Sequence, residues 1–203
     1  MSDETQIESQ EPKKTLLERL YIQDSQMLVR TVLFSIIGAA IFLILNAIEM
    51  PYMMYSLFML SLAPALAVIA TVGAIRGPLA GFLTGYLGVV LYDLVFYGVI
   101  VTMTLPALAY GVLGFVVGLA SYELCNGRSL LKLSILSTVG MVFTILLLIV
   151  VGITIEGYGT LVALGFVLLP LITVGLPSVF LLTPLFARLW YYLITKFVPD
   201  AVE

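Results

Sequence analysis

Six apolar stretches divide the chain: roughly Thr31–Ile48, Tyr55–Ile75, Leu79–Tyr97, Leu105–Tyr122, Leu133–Ile153 and Leu161–Leu182. A helix rises about 1.5 Å per residue, so about 20 residues cross a hydrocarbon core about 30 Å thick. Each stretch is close to one crossing. The pattern therefore predicts an all-α, polytopic membrane protein whose six transmembrane helices form a compact bundle. Three segments follow from it: a polar N-terminal segment over 1–30, a transmembrane domain over 31–183 and an amphipathic cytoplasmic tail over 184–203.

The cations orient this bundle. Lys13, Lys14, Arg19 and Arg30 precede the first stretch, Arg76 lies in the second connection, Arg128 and Lys132 in the fourth, and Arg188 and Lys196 follow the sixth. These are all 9 Lys and Arg residues, and they fall on one side of the membrane. Flanking cations are retained in the cytoplasm, so both termini are expected there, in a multi-pass protein of the cell membrane. The outer connections, around Glu49–Tyr52, Gly98–Thr104 and Ile155–Thr160, hold no Lys or Arg.

Met1–Pro12 is polar throughout, and Lys14–Arg30 sets Leu17, Leu20, Tyr21, Met27 and Leu28 among charges, the pattern of a short helix at the inner interface. The first 30 residues do not read as a signal peptide, because the first long apolar run begins too late. Pro170, Pro177 and Pro184 interrupt the last run, and Trp190-Tyr191-Tyr192 with Arg188 and Lys196 suggests an interface-bound tail helix.

Composition narrows the chemistry. At 62% apolar and 10% charged residues, with a mean hydropathy of +1.17, there is no room for a separate soluble catalytic domain. The net charge of -3 says little about partners, because six of the 12 acids crowd the N-terminal stretch, and nothing resembles a nucleic-acid-binding patch. Histidine is absent and Cys125 is the only cysteine, which removes a disulfide, the commonest metal ligand and the commonest general base. Neither a metal nor a cofactor is expected. Nucleophile, zinc and nucleotide-loop motifs are missing too, so the chain does not read as an enzyme.

Small residues recur at helical spacing. Gly73, Gly77, Gly81 and Gly85 repeat every four residues, and Ala107, Gly111, Gly114 and Gly118 form a second small face in the fourth stretch. Such faces let backbones approach closely, which is how spans associate where lipid is as apolar as leucine. Thr31, Ser35 and Ala39 form a third small face, open to two readings: packing within the chain, or docking of another membrane subunit.

Asp93 follows Tyr92 near the outer end of the third stretch. A carboxylate inside a span costs at least about 2.5–3.5 kcal/mol and normally faces a cavity or a partner. An interfacial cap and a place at the rim of a polar ligand cavity both fit it. Glu49, ahead of Tyr52 and one turn after Asn46, and Glu156, beside Tyr158, are further acids on the outer side, with Tyr97 and Tyr110 as neighbours. Aromatic faces with a few convergent polar groups describe a small-molecule pocket, and equally an aromatic belt at the membrane interface.

The segment Leu62–Gly118 contains LAPALAVIATVGAIRGPLAGFLTGYLGVVLYDLVFYG followed by PALAYGVLGFVVGLA. It resembles the substrate-binding S components of energy-coupling factor (ECF) vitamin transporters, in which a proline lies in the second span. A Gly-x-x-x-Gly turn leads into a small-residue-rich third span that ends in an Asp near a glycine, and a glycine-rich fourth span follows. Pro64, Gly73, Gly77, Gly81, Gly85, Asp93, Gly98, Gly111, Gly114 and Gly118 fit that pattern. The resemblance implies capture of a vitamin or related micronutrient on the outer side, then toppling of the component on a membrane coupling subunit driven by two cytoplasmic ATPases. Docking in that family often uses Ala-x-x-x-Ala in the first span, for which Ser35-x-x-x-Ala39, with Thr31, is the nearest equivalent. By position the substrate contacts would be Glu49, Tyr52, Tyr97, Tyr110 and Glu156, with Asp93 at the rim. Riboflavin, thiamine, biotin, folate and queuosine precursors are bound by similar scaffolds. The alternative is a ligand-free scaffold resembling the rod-shape determinant D family, also small, six-spanned and glycine-rich.

Overall fold

Proline 64 decides where the second helix begins. It lacks an N–H, so it fits the first helical turn, and it holds the preceding Ala63 in an extended conformation (φ -112°, ψ 80°). In the computed structural model, which describes residues 25–48, 53–55, 58–98, 104–123 and 129–197, this splits the second apolar stretch. Its first part forms an antiparallel hairpin, β1 (Met53–Tyr55) with β2 (Phe58–Leu60), in the register Met53↔Leu60. The hairpin lies between α1 (Ser25–Ala47) and α2 (Pro64–Arg76). The expected helix from Tyr55 is thereby corrected to one of 13 residues, about 20 Å long.

Three more helices follow: α3 (Pro78–Tyr97), α4 (Thr104–Gly118) and α5 (Leu130–Thr154). The sixth helix is a continuous run over Thr160–Lys196. It is built from α6 (Thr160–Val162), two π-helical segments at Ala163–Leu168 and Leu171–Gly175, and α7 (Leu176–Phe197). Four of the six helices have the length and apolarity to cross a membrane, while α2 and the stretch Leu105–Gly118 of α4 are shorter. The all-α bundle of six helices is thus present, with the small hairpin as its only strands among the described residues. α7 passes through Pro184 without a break, so the helix is continuous across the 183/184 boundary. The N-terminal residues 1–24, Glu49, Tyr52 and Cys125 lie outside the described residues.

Chain reversals are tight. Gly77, at φ 93°, turns α2 into α3, and Pro78 starts the next helix at once. Gly98, at φ 67°, caps α3 in the left-handed conformation. The helices therefore alternate between two ends of the bundle, called here the Arg76 end and the Ala47 end.

The centre is a backbone-to-backbone contact. A Cβ at Gly114 would sit 2.3 Å from the carbonyl carbon of Gly81, and Cβ atoms at Gly73 and Gly81 would sit 2.3 and 2.4 Å from the Gly114 oxygen. Gly85 meets the Tyr110 carbonyl, Gly118 meets Pro78, and Gly111 meets the Phe82 ring. Thus α2, α3 and α4 share one seam in which glycine alone fits.

Hydroxyls join the remaining helices. Ser35 donates to the Ala80 carbonyl (3.2 Å), Thr144 to the Ala109 carbonyl (3.0 Å) and Ser134 to the Phe180 carbonyl (3.0 Å). Such interhelical bonds average only about 0.6 kcal/mol in a membrane. Over-packing a core costs about 1–3 kcal/mol, so the glycine seam outweighs any one of them. Thr31, Ser35 and Ala39 are buried, and Ser35 bonds to α3. Of the two readings open for this face, the structure shows the first, packing within the chain, because its small side chains let α3 come close.

Gly114→Ala is expected to lower stability by at least about 1–3 kcal/mol. Gly165→Ala, whose Cβ would meet nothing within 4 Å, should melt like the parent. Thermal unfolding of the purified proteins in detergent checks both. Equal melting temperatures for Gly114→Ala and the parent would show that the seam is not close-packed.

Candidate substrate pocket

Two proline-directed features meet at the Ala47 end. Pro64 starts α2 there, and Pro170 lies between the two π segments of the sixth helix. A proline in a helix frees a carbonyl and crowds the preceding turn, and widening to π geometry accommodates both. The widened segment is pinned on either side. Thr173 donates to the Leu169 carbonyl (2.9 Å), and the Ala63 N–H donates to Ser178 Oγ (2.7 Å), tying the start of α2 to α7. Gly175 lets the segment approach, since a Cβ there would meet Met141 Cε at 2.5 Å.

Between these elements and the end of α1 lies a pocket of about 350 Å³. Leu45, Asn46 and Ile48 supply one wall, Ser61 to Leu66 a second, and Pro170, Leu171, Val174 and Gly175 the third. The size falls at the small end of the range for small-ligand sites, about 300–1,000 Å³. Asn46 and Ser61 are its polar side chains; the rest is aliphatic. Such a wall suits a flat, largely apolar ring held by dispersion, with a few hydrogen bonds to set its orientation.

Four of the sequence-predicted residues, Asp93, Tyr97, Tyr110 and Glu156, fall elsewhere. Asp93 continues the buried small-residue face of α3 formed by Gly81, Thr84, Gly85, Gly88 and Val89, so it points into the bundle and is only 4% exposed. Its Oδ2 has no hydrogen-bond partner among the described residues. Tyr110, half-buried on α4, lies within electrostatic reach of it. Tyr92 contacts Tyr97 edge-on, with ring centroids 6.0 Å apart, and Phe96 at 4.7 Å. Asp93, Tyr92, Tyr97 and Tyr110 therefore form one group at the α3–α4 seam. Tyr97 itself is exposed. Glu156 belongs to a second group in the turn between α5 and α6. There the hydrogen bond to Glu156 carries the Tyr158 phenol above its usual value, and the Tyr158 ring packs over Gly152.

None of Asp93, Tyr97, Tyr110 and Glu156 lines the pocket. Glu49 and Tyr52, outside the described residues, follow the wall residue Ile48 in the chain. The π-helical wall at 170–175 was not predicted. Its signal in the sequence was Pro170 with Gly175 inside an overlong apolar run, which marks a distortion without saying which cavity it borders.

A bundle of six apolar helices, hollowed at one end for a small ligand, has the form of a membrane-embedded binding component. The family model described as ECF-type riboflavin transporter, S component, matches residues 26–189, which covers most of the 203-residue chain. The chain belongs to that family: it is a multi-pass membrane protein and the substrate-binding component of an ECF-type transporter, which is not an enzyme family. Among curated proteins, none matches the chain.

Val174→Trp, which fills the pocket from the π-helical wall, is expected to weaken ligand binding more than about tenfold, or about 1.4 kcal/mol. Asp93→Asn, away from the pocket, should change affinity by less than that. Titration of both variants by calorimetry separates the two loci. A larger loss in Asp93→Asn than in Val174→Trp would move the site to the α3–α4 seam.

Proposed function

We propose that this protein captures riboflavin, or a compound with the same ring system, at the Ala47 end of the bundle. The observation that carries the reading is the family match over residues 26–189. The pocket supports it: aliphatic walls from three elements and two polar side chains suit a flat heteroaromatic ring with hydrogen-bonding edges. In this reading Glu49 and Tyr52, next in the chain after the pocket wall, complete the lip and meet the polar tail of the ligand. Asp93, Tyr97, Tyr110 and Glu156 border the same end and shape the approach to it.

In this reading the Ala47 end faces outward and both termini lie in the cytoplasm of the cell that carries the protein in its plasma membrane, which the cation distribution supports. The chain holds no nucleotide loop, so the energy for release comes from elsewhere. In the proposed cycle a membrane coupling subunit with two cytoplasmic ATPases binds the loaded component, and the whole bundle topples to deliver its ligand. A seam of glycine backbones suits such a motion, because it keeps α2, α3 and α4 moving as one body. The family match sets aside the ligand-free scaffold.

Riboflavin is expected to raise the melting temperature of the purified protein, corresponding to about 2.7 kcal/mol at a hundredfold excess over Kd. Thiamine and biotin should leave it unchanged. A rise with either of those and none with riboflavin would overturn the substrate assignment. Orientation has its own test in Cys125, the chain's single cysteine. A membrane-impermeant maleimide should label it in inside-out vesicles and not in intact cells, and the reverse pattern would invert the topology.

A further inference from the structure

Two walls of the pocket at the Ala47 end, one over 61–66 and one over 170–175, come from distant parts of the chain. A buried hydroxyl joins them. The Ala63 N–H donates to Ser178 Oγ (2.7 Å), and the Ser178 hydroxyl donates in turn to the Val174 carbonyl. Ala63 and Val174 both line the pocket. Ser178 does not line it and is 0% exposed. The two bonds therefore run from wall to wall through one side chain outside the cavity.

Local structure demands neither bond. Ala63 lies after the hairpin, which ends at Leu60, and before the first turn of α2, so neither ladder nor helix supplies an acceptor for its N–H. Ser178 sits inside α7, where a serine that bonds back one turn slightly destabilises the helix. Its hydroxyl offers one donor and two acceptor positions, and the relay uses the donor and one acceptor. Close packing alone would explain a small residue at 178, but alanine would serve that purpose without the hydroxyl. The wall held by the relay is the irregular one, the π-helical turn at Leu171–Gly175, against which β2 packs. Dispersion is steep in distance: a gap of about 0.5–1 Å forfeits a quarter to a half of a contact's energy. An aliphatic pocket therefore depends on how far apart its walls are held.

We propose that Ser178 is a positioning residue for the substrate: its hydroxyl sets the spacing of the two walls, and through it the affinity, without touching the ligand. The inference rests on the pocket at the Ala47 end being the substrate site. Removing the hydroxyl leaves the Ala63 N–H without its acceptor and releases the wall at 170–175 from the start of α2.

Ser178→Ala and Ser134→Ala, each in the full chain purified in detergent, are compared with the parent and with Val174→Trp. Ser134 also donates between helices, from α5 to the Phe180 carbonyl (3.0 Å), but belongs to neither wall. Calorimetric titration with riboflavin is expected to show about tenfold weaker binding in Ser178→Ala, because a relaxed wall loses part of its contact. Ser134→Ala should bind like the parent. Ser178→Cys, a weaker donor of similar size, should shift in the same direction as Ser178→Ala and by less. In the ligand-free protein, amide exchange over 61–66 should speed up in Ser178→Ala and not in Ser134→Ala, a local change that a general loss of stability would not produce. Parent-like affinity in Ser178→Ala, with Val174→Trp weakened, overturns the positioning role and leaves the pocket in place. An equal loss in Ser134→Ala, or unchanged exchange over 61–66 in Ser178→Ala, overturns it as well. A parent that binds no riboflavin, or a Val174→Trp variant that binds it as tightly, removes the pocket reading and this inference with it.

Discussion

The contact of glycine backbones around Gly114 is the constraint on which the rest of the bundle depends. Gly73 of α2 and Gly81 of α3 both reach the same carbonyl, so three helices are held at one point with no side chain between them. Lipid offers no hydrophobic force to press helices together, and single interhelical hydroxyl bonds contribute little. Close backbone approach is then the main source of packing energy, because each atom in the seam gains dispersion partners it would lack beside a bulky side chain. Glycine 77 makes the seam possible, since its positive φ lets α3 fold straight back along α2.

A seam this tight leaves the open volume elsewhere. α2 is too short to line the bilayer alone, and the sixth helix is widened where Pro170 and Gly175 interrupt it. The candidate substrate pocket lies where these two irregularities face each other at the end of α1. A second cavity lies between α1, α2 and α7. α2 takes part in all three features: it gives Gly73 to the seam and wall residues to each cavity.

Membership of the ECF S-component family fits this division of labour. A binding component that carries no energy source of its own needs a body that stays intact and an end that can hold a ligand. The seam is suited to the first and the proline-bounded pocket to the second. Asp93 Oδ2, Trp190 Nε1 and Arg76 Nε are buried polar atoms without a hydrogen-bond partner among the described residues.

The number of helices, their apolar character and the glycine faces were legible in the sequence, because each is a matter of local composition and helical period. The S-component resemblance was legible too, through Pro64, the Gly73 to Gly85 repeat and Asp93. What the sequence alone could not decide was which small face meets which. Thr31, Ser35 and Ala39 offered a docking surface as readily as an internal one, and only the tertiary structure laid α3 over them. It could not separate the outer-end acids and tyrosines into groups, since Asp93 and Glu156 share an end of the chain's path without sharing a cavity. Nor could it show that Pro64 would turn the start of the second apolar stretch into a hairpin, or that Pro170 would widen a helix beside it. Those outcomes depend on contacts between residues far apart in the chain, such as Ala63 with Ser178, and hydropathy along a sequence carries no record of them.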